Sequence, residues 1–288
     1  PEIPAENILI EPVGRNTAPC IGLAALHIQK RDPDAIMLVL PSDHRIGSGA
    51  EYRRVLEAAG KAAAEGNPLL TIGIRPTGPE TGFGYIEQGD LFSAIDSREI
   101  HRVRAIREKP DIEQAREFLH RGGFLWNSGM FVWKASTILG AIKRFLPELH
   151  EGLQQIREAL GTEQEEQVVG DIYAGLKAFS IDYGVMEKAE DVLVIPGDFD
   201  WSDLGSWDAL WEVSGKDGNG NVARGSFVGI DAHNCLVHSP GKLVALVGVK
   251  DLLVVETDDA LLICRRGRSQ NVRKVVEILE KRGLKEYL

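Results

Sequence analysis

Strand-like and helix-like segments alternate through the first two-thirds of the chain, and this alternation narrows the possible folds more than any other feature. Leu69 to Ile74 reads as a strand, and so do Ile8-Leu9-Ile10 and Asp191 to Ile195. Ile36-Met37-Leu38-Val39-Leu40 is apolar throughout, the pattern of a central parallel strand covered on both faces. Helical stretches lie between them: from Thr17, a candidate cap, to about Lys30; from Glu51 to Glu65, stopped by Gly66; and from Asp111, another cap, to Gly122-Gly123. Phe124 to Trp133 is strand-like, and about three helical segments fill Ala135 to Lys177. The rhythm predicts an α/β fold with a doubly wound, mostly parallel, Rossmann-like sheet.

Near residue 215 the texture changes. Ser214 to Asn221 is rich in Gly, Asn and Asp and reads as a linker or long loop. Short β-type runs follow at 226–230, 235–238, 243–249, 252–256 and 260–264, so a small β-domain is expected. The predicted domains are 1–214 and 215–288. A last helix opens at Ser269, and Val272, Val275, Val276 and Leu279 form a narrow apolar stripe that suits either its own domain or a partner subunit.

Composition excludes several classes. Asp plus Glu number 43 against 33 Lys plus Arg, a formal net charge of −10, which disfavours nucleic acid as a partner. A phosphate ligand would therefore need local Lys or Arg, or a metal. No apolar run reaches the roughly 18–20 residues that span a bilayer. The first ten residues hold two Glu, two Pro and no basic residue, unlike a secretory signal. Cys20, Cys235 and Cys264 are scattered, each in an apolar run, which predicts buried free thiols in a reducing cytosol rather than zinc or disulfides.

Polar groups set inside apolar runs mark the candidate site. Pro41-Ser42-Asp43-His44 follows the apolar strand directly; Asp43 is placed to ligate Mg²⁺ or to make an ordinary turn. Asp203, in Asp200-Trp201-Ser202-Asp203-Leu204-Gly205, is either a helix cap or a second metal ligand. Glu108-Lys109-Pro110 ends an alternating strand. Proline favours an extended Lys109, so the two charged side chains would point to opposite sides, toward sugar hydroxyls and a phosphate, or simply into solvent. Asn127-Ser128-Gly129 interrupts an apolar strand, and the amide needs a partner, either backbone at a bulge or a sugar hydroxyl. The loop Thr77 to Ile86 carries three glycines, among them Gly84 before Tyr85, and suits a turn or a close ligand. Glu11 to Pro19, with Asn16 and Thr17, suits a nucleotide base or phosphate, and equally well ordinary helix capping. No Rossmann glycine fingerprint or Walker pattern occurs.

Taken in order, Glu11-Pro12 with Asn16-Thr17-Ala18-Pro19, Leu40 to His44, Pro79 to Ile86, Glu108-Lys109-Pro110, Trp126 to Phe131, Ser180 to Lys188 and Trp201 to Trp207 resemble the mannose-1-phosphate guanylyltransferases, within the sugar-nucleotide pyrophosphorylases. The resemblance spans about residues 8–210 and implies a GT-A-like nucleotidyltransferase domain. The β-rich remainder resembles the family's left-handed β-helix-like association domain. It implies transfer of GMP from GTP to mannose 1-phosphate, giving GDP-mannose and pyrophosphate, in a cytoplasmic, Mg²⁺-dependent homodimer without nucleic-acid or membrane partners. By the same resemblance Asp43 and Asp203 hold the metal and Lys109 the sugar phosphate. Glu108, Asn127 and the backbone at Gly84 and Tyr85 take mannose hydroxyls; Asn16, Thr17, Pro41 and Asp43 lie on the nucleotide side. The family's opening strand and Gly-rich triphosphate loop have no counterpart here, nor does a cupin-type isomerase domain. The resemblance therefore implies a longer parent chain of which this is the larger part. The alternatives are a non-catalytic GDP-sugar-binding regulator and a pyrophosphorylase for another sugar or base.

Overall fold

The computed structural model describes residues 3–287, so Pro1 and Glu2 of the opening Pro1-Glu2-Ile3-Pro4, and Leu288, lie outside it. By contact density the chain forms two compact units, one reaching Ser42 and resuming over Ile46–Trp201, the other comprising Asp43–Arg45 and the chain from Ser202.

The larger unit is an α/β layer structure. Its sheet takes β1 (Ile36–Val39), β3 (Leu69–Ile74), β4 (Gly84–Ile95), β5 (Arg98–Arg107), β6 (Phe124–Lys134) and β7 (Val192–Gly197) in the order β1-β6-β3-β7-β5-β4, with β6 also pairing β4; the two-residue strands β2 (Arg45–Ile46) and β8 (Trp201–Ser202) lie outside it. β3 is buried along its whole length, including Thr71, whose hydroxyl donates to Met130 O. One side of the sheet packs on α1 (Thr17–Arg31), α4 (Ala135–Phe145), α5 (Pro147–Ala159) and α6 (Glu165–Gly175) through Leu26, Ile138, Leu153 and Tyr173. The other packs on α2 (Gly49–Glu65), whose Val55, Ala58, Ala59 and Ala63 are fully buried. Small alanines there let the helix sit close to Ile72 and Ile195. α3 (Ile112–Arg121) starts as expected: Asp111 and Gln114 form a reciprocal capping box.

Several expectations need correcting. The α/β class holds, but the sheet is mixed: β3 and β7 run parallel, whereas β1–β6, β3–β6, β4–β5, β4–β6 and β5–β7 are antiparallel. β1 is an edge strand, not a central one, and Leu38 is 43% exposed. An apolar run reports hydrophobicity and says nothing of neighbours. Ile8, Leu9 and Ile10 join no strand and are exposed. Thr17 is the first residue of α1, and Asn16 is its cap. Cys20 is exposed on α1; only Cys235 is buried, with Cys264 intermediate.

The smaller unit stacks β9 (Val222–Ile230), β10 (Leu236–Val247) and β11 (Leu252–Glu256) in parallel, with β12 (Leu261–Arg265) antiparallel at the end. Parallel neighbours joined by so short a connection as 231–235 form successive turns of a coil, because a crossover helix has no room. Val222, Leu236, Leu253 and Val255 make its core, closed by Trp207, Leu210 and Trp211 around α7 (Trp207–Val213). The loop before β9 is tied down by Asn221, which donates to Ala232 O and accepts from Cys235 N. The last helix, α8, spans Val272–Arg282 and buries no side chain; Val275 and Val276 of the apolar stripe are 46% and 41% exposed. Ser269 does not cap it. Its hydroxyl donates to Asp208 instead.

Candidate active site

In the larger unit the polar interruption of β6 becomes a carboxylate cradle. At Ser128-Gly129 the β3–β6 register breaks and Gly129 takes φ +70°. Ser128 donates to Ile72 O at 2.6 Å and accepts from Met130 N at 3.2 Å, so the bulge is satisfied internally. Asn127 is thereby aimed away from the ladder. Its Nδ2 donates to Glu108 Oε1 at 3.1 Å and to Asp182 Oδ1 at 2.7 Å. Its Oδ1 accepts from Gly129 N at 3.3 Å and from Thr71 Oγ1 at 3.4 Å. Two carboxylates on one amide fix that amide's orientation, since only an NH₂ group can serve both. The bulge and the side chain thus satisfy each other, and Asn127 spreads two acceptors apart.

Gly84 opens the space for this. A Cβ there would stand 2.0 Å from Glu108 Oε1 and 3.2 Å from Asn127 Cβ. Tyr85, by contrast, is fully buried, with its ring against Phe118, so only its backbone can reach a ligand. Lys109 follows Glu108 at φ +47°, in the left-handed region rather than extended as Pro110 suggested. A lysine held there is strained, and such strain collects at functional sites. The expected opposite splay of Glu108 and Lys109 therefore does not apply.

The spacing of motifs gave no role to three neighbours. Asp182 begins a π-turn, Asp182–Met186, a local geometry frequent at functional sites. Its Oδ2 accepts from Ser180 Oγ at 3.0 Å. Tyr183 is half-exposed beside these acids: burial first, then Glu108, Glu187 and Asp182, push its phenol up. Glu187 completes the set, its carboxyl raised first by burial and next, against the Glu108 backbone N–H that steadies it, by Asp182. The segment Ser180 to Lys188 was part of the motif set, and its acid-aromatic content was the available signal.

Burial first, then the charges of Asp182 and Glu187, raise the Glu108 carboxyl, while the Asn127 hydrogen bond and Lys109 pull it down. The sign follows. Below the carboxylate range Glu108 is protonated folded and unfolded, and no penalty exists. As pH rises, the unfolded chain ionises first; stability is lost up to the raised folded value and stays lost above it. Glu108→Gln keeps an acceptor for Asn127 without the charge. Its melting temperature should exceed the parent's at neutral pH, and the gap should close as pH falls to about 4. Thermal unfolding across pH checks this; equal melting temperatures at neutral pH would show that Glu108 ionises without cost.

The loop before α1 is stitched to the same region. Arg15 donates to Tyr173 O and Ala174 O at 2.8 and 2.7 Å. Phe179 N donates to Arg15 O, Ala18 N to Phe179 O, and Ile181 N to Thr17 Oγ1 at 2.8 Å. Asn16, at φ +67°, accepts from Thr17 N. With the Thr17 and Ala18 amides used and Pro19 lacking one, the start of α1 has little donor capacity for phosphate. That leaves side chains and carbonyls, which suit a base or ribose. Pro41 lies near the bulge, 3.9 Å from where a Cβ on Gly129 would be.

The second unit carries Asp43 and Asp203. Asp203 does not cap α7; Ser206 does, accepting from Ala209 N. Asp203 Oδ1 instead accepts from Gly205 N at 2.9 Å, with Leu204 at φ +50°. Both carboxylates act on His44: burial lowers its imidazole, and the charges of Asp43 and Asp203 partly restore it. Hard oxygen donors of this kind fit Mg²⁺, which is held by one or two carboxylates with the remaining positions left to water and substrate phosphates. Among the described residues no group of three or more His, Cys, Asp or Glu is placed to hold a metal.

Residues 3–220 match the nucleotidyl transferase family. The chain belongs to that family. Residues 225–279 match a second one, described as the mannose-phosphate isomerase/GMP-like β-helix domain, in keeping with the parallel coil of β9 to β11. An Escherichia coli protein named mannose-1-phosphate guanylyltransferase is 43% identical over 285 residues, covering 98% of this chain and 60% of its own length. The alginate biosynthesis protein AlgA of Pseudomonas aeruginosa is 39% identical over 285 residues, covering 98% and 58%. The chain thus spans about three-fifths of these curated relatives. A crystal structure described as a mannose-1-phosphate geranyltransferase from Thermus thermophilus superposes with a TM-score of 0.80 at 36% identity, covering 94% of this chain and 77% of that one. No helix among the described residues is long and apolar enough to cross a membrane.

Proposed function

We propose that the protein transfers GMP from GTP to mannose 1-phosphate, releasing pyrophosphate. The observation that carries this is the cradle in which Asn127 holds Glu108 and Asp182 beside Gly84, with Lys109 next in the chain. Paired acceptors on a fixed amide suit the hydroxyls of a sugar, and a cation beside those acids suits its phosphate. The name of the Escherichia coli relative at 43% identity supports the same sugar and reaction.

In this reading a phosphate oxygen of mannose 1-phosphate attacks the α-phosphorus of GTP. The new P–O bond forms as the bond from that phosphorus to the β-bridging oxygen breaks, and pyrophosphate leaves with the electron pair. No protein nucleophile is required; orientation and charge stabilisation supply the rate. Glu108, Asn127 and the backbone at Gly84 and Tyr85 orient the sugar, and Lys109 holds its phosphate. Asn16, Thr17 and Pro41 lie at the nucleotide end. Asp43 and Asp203 would hold Mg²⁺, which when bound neutralises phosphate charge. A cytoplasmic homodimer completes the proposal. Its support is the family resemblance and the exposed apolar stripe of α8.

Pyrophosphate release by the protein in its full natural length tests the reading, with mannose and glucose 1-phosphates crossed against GTP, UTP and ATP. Turnover is expected with mannose 1-phosphate and GTP; its absence removes the reading. Saturable GDP-mannose binding without any turnover would indicate a non-catalytic binder.

A further inference from the structure

The sugar cradle and the loop before α1 are far apart in sequence yet meet at one short segment. Thr17 Oγ1 accepts from Ile181 N at 2.8 Å. The next residue is Asp182, whose Oδ1 takes the Asn127 amide at 2.7 Å and whose Oδ2 is held by Ser180 Oγ. Asn127 in turn donates to Glu108. Backbone bonds from Phe179 to Arg15 and from Ala18 to Phe179 lock the segment to the loop on either side of Thr17. Thr17 and Glu108 are thus joined by three hydrogen bonds and the peptide link from Ile181 to Asp182, by way of Asn127.

We propose that Asp182 is a positioning residue for the sugar, setting the Glu108–Asn127 pair, and that the Thr17–Ile181 hydrogen bond couples its placement to the nucleotide-side loop. This rests on the reading of the cradle as the sugar-phosphate site. The geometry gives Asp182 its own necessity. Asn127 has two N–H groups, and Asp182 provides the shorter of their two acceptor contacts, 2.7 Å against 3.1 Å to Glu108; without it the amide is oriented only by Glu108 and by the longer bonds from Gly129 N and Thr71 Oγ1, at 3.3 and 3.4 Å. The π-turn supplies the means, since Glu187 N closes onto Asp182 O at 2.9 Å and Gly184 N onto Ser180 O at 2.8 Å. Gly184 permits that turn to press on Leu146, the residue between α4 and α5, which a Cβ would meet at 2.9 Å.

Three variants of the natural-length protein test the proposal: Asp182→Ala, Asp182→Asn and Thr17→Val. Asp182→Ala should raise KM for mannose 1-phosphate by on the order of tenfold or more, the scale of one hydrogen bond to a charged group, with less effect on KM for GTP. Asp182→Asn keeps an acceptor and should restore most of that affinity. It also removes one negative charge facing Glu108, whose other charged neighbours are Glu187 and Lys109, with Tyr183 close by. The acid limb of the pH profile for the sugar should therefore move to lower pH. Thr17→Val should raise KM for the sugar as well as for GTP, and its effect should not add to that of Asp182→Ala. A readout free of turnover is the side-chain amide signal of Asn127 in ¹⁵N-labelled protein, which both Asp182→Ala and Thr17→Val should move. A sugar KM within twofold of the parent in Asp182→Ala, or an Asn127 signal unmoved by Thr17→Val, would overturn the proposal. A parent without turnover while the Asn127 signal still responds to both would instead remove the functional reading alone.

Discussion

Replacing Lys109 by alanine is expected to lower kcat/KM by at least about 100-fold, or about 2.7 kcal/mol of transition-state stabilisation. The reason lies in the local field. Glu108, Asp182 and Glu187 face one another, and the whole chain carries a formal net charge of −10, so a sugar phosphate approaches against repulsion. Lys109 is the cation felt by Glu108. It is held at φ +47°, a conformation a lysine adopts only when its surroundings insist. Lys109→Gly separates the two properties, relaxing the backbone while deleting the charge. If charge is what matters, the glycine variant should be as slow as alanine, though no less stable. Asp203→Ala should cost a similar factor for a different reason, because it removes one of the two carboxylates proposed to hold Mg²⁺. Steady-state kinetics with mannose 1-phosphate and GTP decide both, and near-normal values in either variant would exclude that residue from the site.

The parts of this molecule governed by local rules were legible in the chain. Leu69–Ile74 forms a strand with the predicted ends because its apolar run is bounded by Pro68 and Arg75. Asp111 caps α3 because its side chain and Gln114 are three residues apart. What depended on distant neighbours was not legible. Ile36 to Leu40 is as apolar as a central strand, yet β6 pairs it on one side and leaves it at the edge. The same limit applies to the site. Glu108, Lys109 and Asn127 stood out as polar groups in apolar surroundings. Asp182 sits 55 residues from Asn127 and was one residue of the Ser180 to Lys188 motif, with no role of its own, until the fold set it on that amide. The Lys109 backbone went the other way: Pro110 favours extension locally, and tertiary packing overrode it. Asp203 offered a cap by propensity, but Ser206 lies nearer the first turn of α7 and takes that role, leaving Asp203 to close on Gly205.

Gly84→Ala should abolish most sugar affinity while leaving the fold in place, with KM for mannose 1-phosphate rising by about 100-fold. Gly84 is not in the left-handed region, so alanine meets no backbone strain there, and the effect must come from what the new methyl touches. It would lie 2.0 Å from Glu108 Oε1 and 2.7 Å from Glu108 Cδ, inside contact distance. The carboxylate is the free end of a flexible side chain and can swing clear; β4 and β6, paired at Gly84 and Asn127, cannot. Swinging clear breaks the bond to Asn127 and leaves one of its two amide hydrogens unpaired in a half-buried site. The loss therefore falls on the cradle rather than on the sheet. A double-mutant cycle with Glu108→Ala separates these effects, because truncating Glu108 removes the atoms in the way. The pair Gly84→Ala/Glu108→Ala should bind sugar no worse than Glu108→Ala alone, and should recover whatever stability the single Gly84→Ala change cost. If the double variant remains as unstable as Gly84→Ala, the obstruction is Asn127 Cβ, 3.2 Å from the new methyl, and the glycine serves strand packing instead of the carboxylate.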